Sequence, residues 1–254
     1  MNGSGGKTGQ IAGRQRLILE LLAAAPGGRA DYGYLTCPGL IVPGLTGLPR
    51  VCCFFMTLID TENQKMLFEL MAPIYDWFVK VANIDHSGKM PEWLAPVKDK
   101  EILDLGGGTG VNSRTLAAAG ARVTVADFSQ AMLNRAATKK VPARLIRADA
   151  ASLPLPDDSF DIVLISDAWH HFRDHPGVVR EVARVLRPNG RLYIIDFDPG
   201  KRKTRFLAIL ERLVAEPSTF TPPDKLVEMF LSAGIQGNYR YLTSNQFIYA
   251  GVKS

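Results

Sequence analysis

The chain has 254 residues, 46% of them hydrophobic and 22% charged, enough to bury one full core and a little long for a single common domain. A formal charge of +5 with both signs mixed throughout does not announce a nucleic-acid partner, and none is expected. The longest apolar run near the N-terminus, "VCCFFM" followed by Thr57 and "LI", is far short of the roughly 20 residues a membrane span needs, so no transmembrane segment is read and the chain is expected to be cytoplasmic.

Residues 1–55 differ in composition from the rest. They are rich in Gly and Pro and hold all three cysteines, Cys37, Cys52 and Cys53. "RQRLILELLAAAPGG" reads as a short helix, a winged-helix fragment or a poor signal peptide, and Glu20 argues against secretion. Helical spacing begins at Met56, where Met66, Leu67, Leu70, Met71 and Ile74 form one apolar stripe. Residues 1–55 therefore read as a poorly structured extension, either native or mistranslated sequence upstream of a start at Met56, and the intact mass of the natural protein decides between the two. Residues 56–98 read as a helical lid or cap, and 99–254 as the main domain.

From Lys100 strand and helix alternate. "EILDL", "ARVTVAD", "ARLIRAD", "FDIVLIS" and "GRLYIIDF" read as strands, with helices over Gly110–Ala119, from Ser129 and around Val178–Leu186. "KRKTR" at 201–205 reads as a solvated helix start, with an anionic substrate or membrane surface as its alternative partner. A last helix over Pro223–Ala233 stops at Gly234. Two strands, "IQGNYRYLT" and "NQFIYAGVKS", then follow so closely that they must pair antiparallel. The fold class is α/β: a doubly wound, mostly parallel seven-stranded sheet with an antiparallel last strand.

Ligands of such sheets bind outside the carboxyl ends of the strands, near the point where strand order reverses. The loop there is Gly106-Gly107-Gly108-Thr109-Gly110, whose glycines let backbone pass close to a ligand. A dinucleotide fingerprint needs glycine at relative position six, which is Val111 here. Asp104 precedes the loop; it would repel a pyrophosphate and suit a ligand bearing an ammonium group.

"LDLGGGTG", "VADFSQAML" and "RADAASLPLPDDSFDIVLIS" together resemble the class I S-adenosylmethionine-dependent methyltransferases, in the ubiquinone/menaquinone C-methyltransferase-like (methyltransferase type 11) branch. The resemblance runs from about Glu62 to Ser254 and implies a Rossmann-like methyltransferase fold with S-adenosyl-L-methionine as cofactor. It implies that Asp127 binds the ribose hydroxyls, where a carboxylate accepts two charge-assisted hydrogen bonds, and that Asp149, with the Ala150 backbone, meets the adenine amino group. Phe128 and Met132 pack on the adenine face or belong to the core. Gly106 and Gly108 belong to the loop that cradles the methionine portion, Asp104 lies near its ammonium, and Thr109 and Ser113 donate to its carboxylate. Ser166, at the end of the fourth strand, completes the expected cofactor contacts.

The reaction itself should owe most to alignment of nucleophile, methyl and sulfur in a dry pocket. Its walls are expected from the helix carrying Tyr75, itself a candidate catalytic residue, and from "SDAWHHF", 166–172. The quinone enzymes usually carry Arg-Asn where this chain has His170-His171, which puts quinone specificity in doubt. Either histidine can serve as a general base or as a structural residue holding the loop. Trp169 and Phe172 line the cavity or belong to the core. Being adjacent, the two histidines are expected to point apart, and no metal is expected. The reading is methyl transfer to a small, partly apolar acceptor at oxygen, nitrogen or carbon. Its alternatives are a catalytically inactive S-adenosylmethionine-binding regulator and an RNA or protein methyltransferase. Oligomeric state is left open.

Overall fold

The computed structural model describes residues 86–213 and 218–254. The N-terminal extension, most of the expected lid and Tyr75 lie outside the described residues. The described end of the lid segment holds a 3-10 turn at Ser87–Lys89 and a short helix α1, Met90–Trp93. Met90 and Leu94 are fully buried there against Ile102, Leu116 and Ile162.

The strands are β1 (Glu101–Leu105), β2 (Arg122–Asp127), β3 (Ala143–Arg147), β4 (Phe160–Ser166), β5 (Leu186–Phe197), β6 (Ile235–Tyr241) and β7 (Gln246–Lys253). They form one sheet in the order β3-β2-β1-β4-β5-β7-β6. β1 through β5 run parallel, and β7 pairs antiparallel with both β5 and β6. Successive side chains of a strand face opposite sides, so the near-continuous apolar strands fill two cores. On one face Leu103, Val163, Ile165 and Ile194 pack with Val178, Val182, Leu226 and Phe230; on the other Ile102, Ile162, Leu164 and Ile195 pack with Met90 and Leu116.

The helices that follow the strands are α2 (Val111–Ala118), α3 (Gln130–Thr138), α4 (His175–Val185), α5 (Arg202–Leu213) and α6 (Pro223–Leu231). Ser129 caps α3 by accepting from Met132 N at 3.3 Å. α4 begins three residues before the expected Val178, because Asp174 Oδ1 accepts from Gly177 N at 2.9 Å and Pro176 suits a first turn. β5 starts at Leu186 with no intervening loop. Its register against β4 jumps from Phe160↔Leu186 to Ile162↔Arg191, a bulge in which Pro188 has no N–H to give and Asn189 is left-handed at φ 62°. β3 stops at Arg147 and Asp149 makes an isolated bridge with Ser152, so Asp149 stands just beyond the strand it was expected to end. Strand order reverses between β1 and β4, and the carboxyl ends of the parallel strands meet there along one edge.

Candidate cofactor and active site

β1 ends in the glycine loop, which is tied back to the sheet by Gly106 N donating to Ala126 O at 2.7 Å. Gly106 is left-handed at φ 74°, and a Cβ there would stand 2.6 Å from the Ala168 Cβ, so no other residue fits. A Cβ at Gly108 would meet nothing nearer than Asp127 Oδ2 at 3.9 Å, because Gly108 borders a cleft. That cleft has a volume of about 410 Å³ and runs along the carboxyl edge of β3, β2, β1 and β4.

One end of the cleft is built from short turns. Asp127 Oδ2 accepts from Gly108 N at 2.9 Å and Oδ1 from Ser129 N at 2.8 Å, which fixes the carboxylate while leaving each oxygen a further lone pair. Burial pushes its pKa up and the backbone bonds pull it down, with burial the larger effect. Asp149 Oδ1 accepts from Ala151 N at 2.9 Å, and among the described residues its other oxygen has no hydrogen-bond donor. Phe128, 40% exposed, and the buried Met132 and Ala150 line the same end. Here the structure brings together Gly106, Gly108, Asp127, Phe128, Met132, Asp149 and Ala150 as the sequence suggested.

Four expected contacts lie elsewhere. Asp104 is 1% exposed and sits beneath the loop, so close that a Cβ on Gly107 would fall 2.7 Å from its Cγ. It does not line the cleft. The single hydroxyl proton of Ser113 is spent on Asp104 Oδ2 at 2.6 Å, which withdraws it from any ligand carboxylate. Thr109, 1% exposed, is likewise turned away from the cleft, its carbonyl accepting from Lys139 Nζ at 3.3 Å. Ser166 Oγ donates to Asp167 Oδ2 at 3.2 Å and stays outside the lining. Burial pushes the Asp104 pKa up to about 6, and Asp104 Oδ1 has no hydrogen-bond partner among the described residues.

The other end of the cleft is walled by Asp167, Ala168, His171 and Phe172. His170 and His171 lie in a 3-10 turn, Trp169–His171. That turn folds their rings together, centroids 3.9 Å apart, where adjacent residues were expected to diverge. They nevertheless do different things. His170 is buried: its N–H and Nδ1 both bind the Asp196 carboxylate, at 3.0 and 2.7 Å, and Phe220 stacks on its ring. It holds the turn and does not reach the cleft. His171 does, and burial together with the neighbouring His170 lowers its pKa well below the usual value, so it is neutral at physiological pH. Behind both, Trp169 is fully buried, stacked on His175 at 4.4 Å and donating from Nε1 to Thr221 Oγ1 at 3.0 Å; Trp169 is core. Phe172 lines the cleft.

Asp167 falls inside the expected "SDAWHHF" wall, and it lines the cleft. It is left-handed at φ 51°, and it accepts from Gln246 Nε2 at 3.2 Å. Its only local signal is an acid directly after the fourth strand.

A glycine cradle open to the cleft and two carboxylates side by side with lone pairs to spare fit a nucleoside ligand. That combination defines a nucleoside-binding α/β site of the S-adenosylmethionine type. Residues 103–194 match a family model described as a methyltransferase domain. The demethylmenaquinone methyltransferase of Thermus thermophilus is 30% identical over 211 residues, covering 70% of this chain and 94% of that protein. The demethylmenaquinone methyltransferase of Clavibacter sepedonicus is 43% identical over 107 residues, 41% of this chain and 44% of the relative, so in that alignment the chain spans less than half the relative's length. An S-adenosylmethionine-dependent methyltransferase of Thermotoga maritima, described as a possible histamine N-methyltransferase, shares the fold: TM-score 0.61 at 18% identity, over 74% of this chain and 99% of that one. The chain belongs to the class I S-adenosylmethionine-dependent methyltransferases, in the ubiquinone/menaquinone C-methyltransferase-like branch. Its cofactor is S-adenosylmethionine.

Proposed function

We propose that the chain transfers a methyl group to a small, partly apolar acceptor at oxygen, nitrogen or carbon. Because relatives of the chain are demethylmenaquinone methyltransferases, a demethylmenaquinone-type ring is the first acceptor to test. The observation that carries the reading is the cleft that joins the Asp127 and Asp149 carboxylates to the neutral His171. When bound, the cofactor supplies an electrophilic methyl on a positively charged sulfur. Asp127 accepts the ribose hydroxyls through the lone pairs its backbone bonds leave free, and Asp149 accepts the adenine amino group through its other oxygen. Phe128 covers the base, and the glycine loop admits the amino-acid end. Because the sulfur loses its charge as the methyl leaves, a carboxylate held against it would oppose the reaction, and alignment in an enclosed pocket does more. His171, uncharged, can take a proton from the acceptor through a ring nitrogen as its nucleophile attacks.

Calorimetric titration of S-adenosylmethionine, S-adenosylhomocysteine and a nicotinamide dinucleotide tests the site. The first two are expected to bind and the third not. Asp127→Ala is expected to weaken the bound pair by about 1.5–3 kcal/mol, roughly ten- to a hundredfold. Binding of the dinucleotide alone would overturn the reading. Formation of S-adenosylhomocysteine with a demethylmenaquinol-type acceptor then tests the acceptor.

A further inference from the structure

The edge of the sheet opposite the cleft holds a second cavity, of about 500 Å³, at the amino ends of β1, β4 and β5. Lys100 stands just before β1, Asp161 near the start of β4, and Arg187 and Arg191 on either side of the bulge that opens β5. β1 is five residues long, so the cavity and the cleft lie roughly 15 Å apart, at its two ends. Three cations and one carboxylate line the cavity: Lys100, Arg187 and Arg191 against Asp161. We propose that it is an anion site that takes the phosphate group of a small phosphate-bearing ligand. The site stands apart from methyl transfer and does not depend on it.

Asp161 cannot neutralise all three cations. Its Oδ2 already accepts from Glu101 N and meets Arg187 Nη1, both at 2.9 Å, and Lys100 Nζ faces its Oδ1 at 3.7 Å. One carboxylate is thus divided between two cations. Arg191 meets no carboxylate among the described residues: Nη1 donates to Ala95 O at 2.6 Å and to Tyr193 Oη at 3.2 Å, and Nη2 to Pro96 O at 2.9 Å. These neutral acceptors hold the guanidinium still and leave its charge unanswered. The other acids of this edge are taken: Glu101 pairs with Arg122, on which Asp99 also acts, Asp158 with Lys253, and Asp157 with Arg184. Three cations less one carboxylate leave the cavity an excess of two positive charges. A phosphate ester, itself a dianion, balances that excess, and a fixed guanidinium fork matches phosphate oxygens. The turn that spaces the two arginines is closed, since a Cβ on Gly190 would stand 2.7 Å from Arg187 O. Pro96 and Pro188 add an apolar wall for the organic part of the ligand, and the volume is that of a small-molecule site.

The probe is pyrophosphate, titrated by calorimetry into the full chain at fixed ionic strength, with and without saturating S-adenosylhomocysteine. Wild type should bind it with the same affinity in both states. Arg187→Gln and, separately, Lys100→Gln should each weaken binding about ten- to a hundredfold. Arg122→Gln removes the same charge from the same edge outside the cavity, and should leave the affinity within about threefold. Far-ultraviolet circular dichroism matching wild type shows each variant folded. No binding to wild type, displacement by S-adenosylhomocysteine, or an equal loss in Arg122→Gln overturns the assignment. A lipid headgroup and a soluble compound present the same phosphate, and vesicles of phosphatidylglycerol separate them. Retention on the vesicles that pyrophosphate competes away and Arg187→Gln weakens assigns the headgroup; pyrophosphate binding without retention assigns the soluble compound.

Discussion

Asp127 and Asp149 reach the cleft from turns in which each accepts from a backbone N–H two residues ahead, whereas Asp167 is oriented by Gln246, 79 positions away. One end of the cleft is thus assembled from neighbours in the chain, and the other from β4, β5 and β7 brought together by the sheet. The two ends should respond differently to damage. A locally built end keeps its shape when distant packing is disturbed. An end held across strands depends on the core behind it.

His171→Asn tests the largest expected difference. It should cut turnover by roughly 10²–10⁴-fold while leaving S-adenosylhomocysteine affinity within about threefold, and an equal loss of both would merge the two ends. Trp169→Ala removes the buried indole behind the histidine turn and should cost about 3–5 kcal/mol in urea unfolding. In the folded fraction, the affinity for adenosine should survive, since Trp169 is not among the residues that line the cleft. The smallest effect concerns the acid beneath the loop. Asp104 titrates near 6 when folded against an ordinary 3.8, so between about pH 4 and 6 the native chain binds more protons than the unfolded one and stability falls as pH rises through that window. Asp104→Asn should therefore gain on wild type by roughly 1–3 kcal/mol between pH 4 and pH 7. The difference between the two curves cancels the opposing titration of His171, and a flat difference would mean that Asp104 is not held in the dry site described.

The same contrast explains what could be read in the chain without coordinates. The order of strands and helices, the antiparallel last pair and the Asp127 and Asp149 turns are encoded by neighbours: a β-branched run, a glycine, an acid two residues from the N–H it binds. Asp104 misleads because its position beside the glycines is real and its direction is not; strand alternation sends it under the loop, where Ser113 is nine positions away. His170 and His171 look equivalent in the sequence. They differ only because Asp196, at the end of β5, takes one of them out of the cleft. Asp167 lies in the expected wall segment, and only the contact from Gln246 of β7 sets it apart from its neighbours there.

β7, the strand that supplies Gln246, follows the other six strands of the sheet in the chain and yet lies inside it, between β5 and β6. Until it arrives, the "LYIIDF" edge of β5 has no partner on that side, and such an apolar edge is a template for pairing with another chain. During synthesis the molecule therefore carries an open, aggregation-prone seam through the production of α5, α6 and β6, and closes it in a single late step that also delivers Gln246 to the cleft. A nascent chain stalled before Gln246 would be the species most in need of a chaperone.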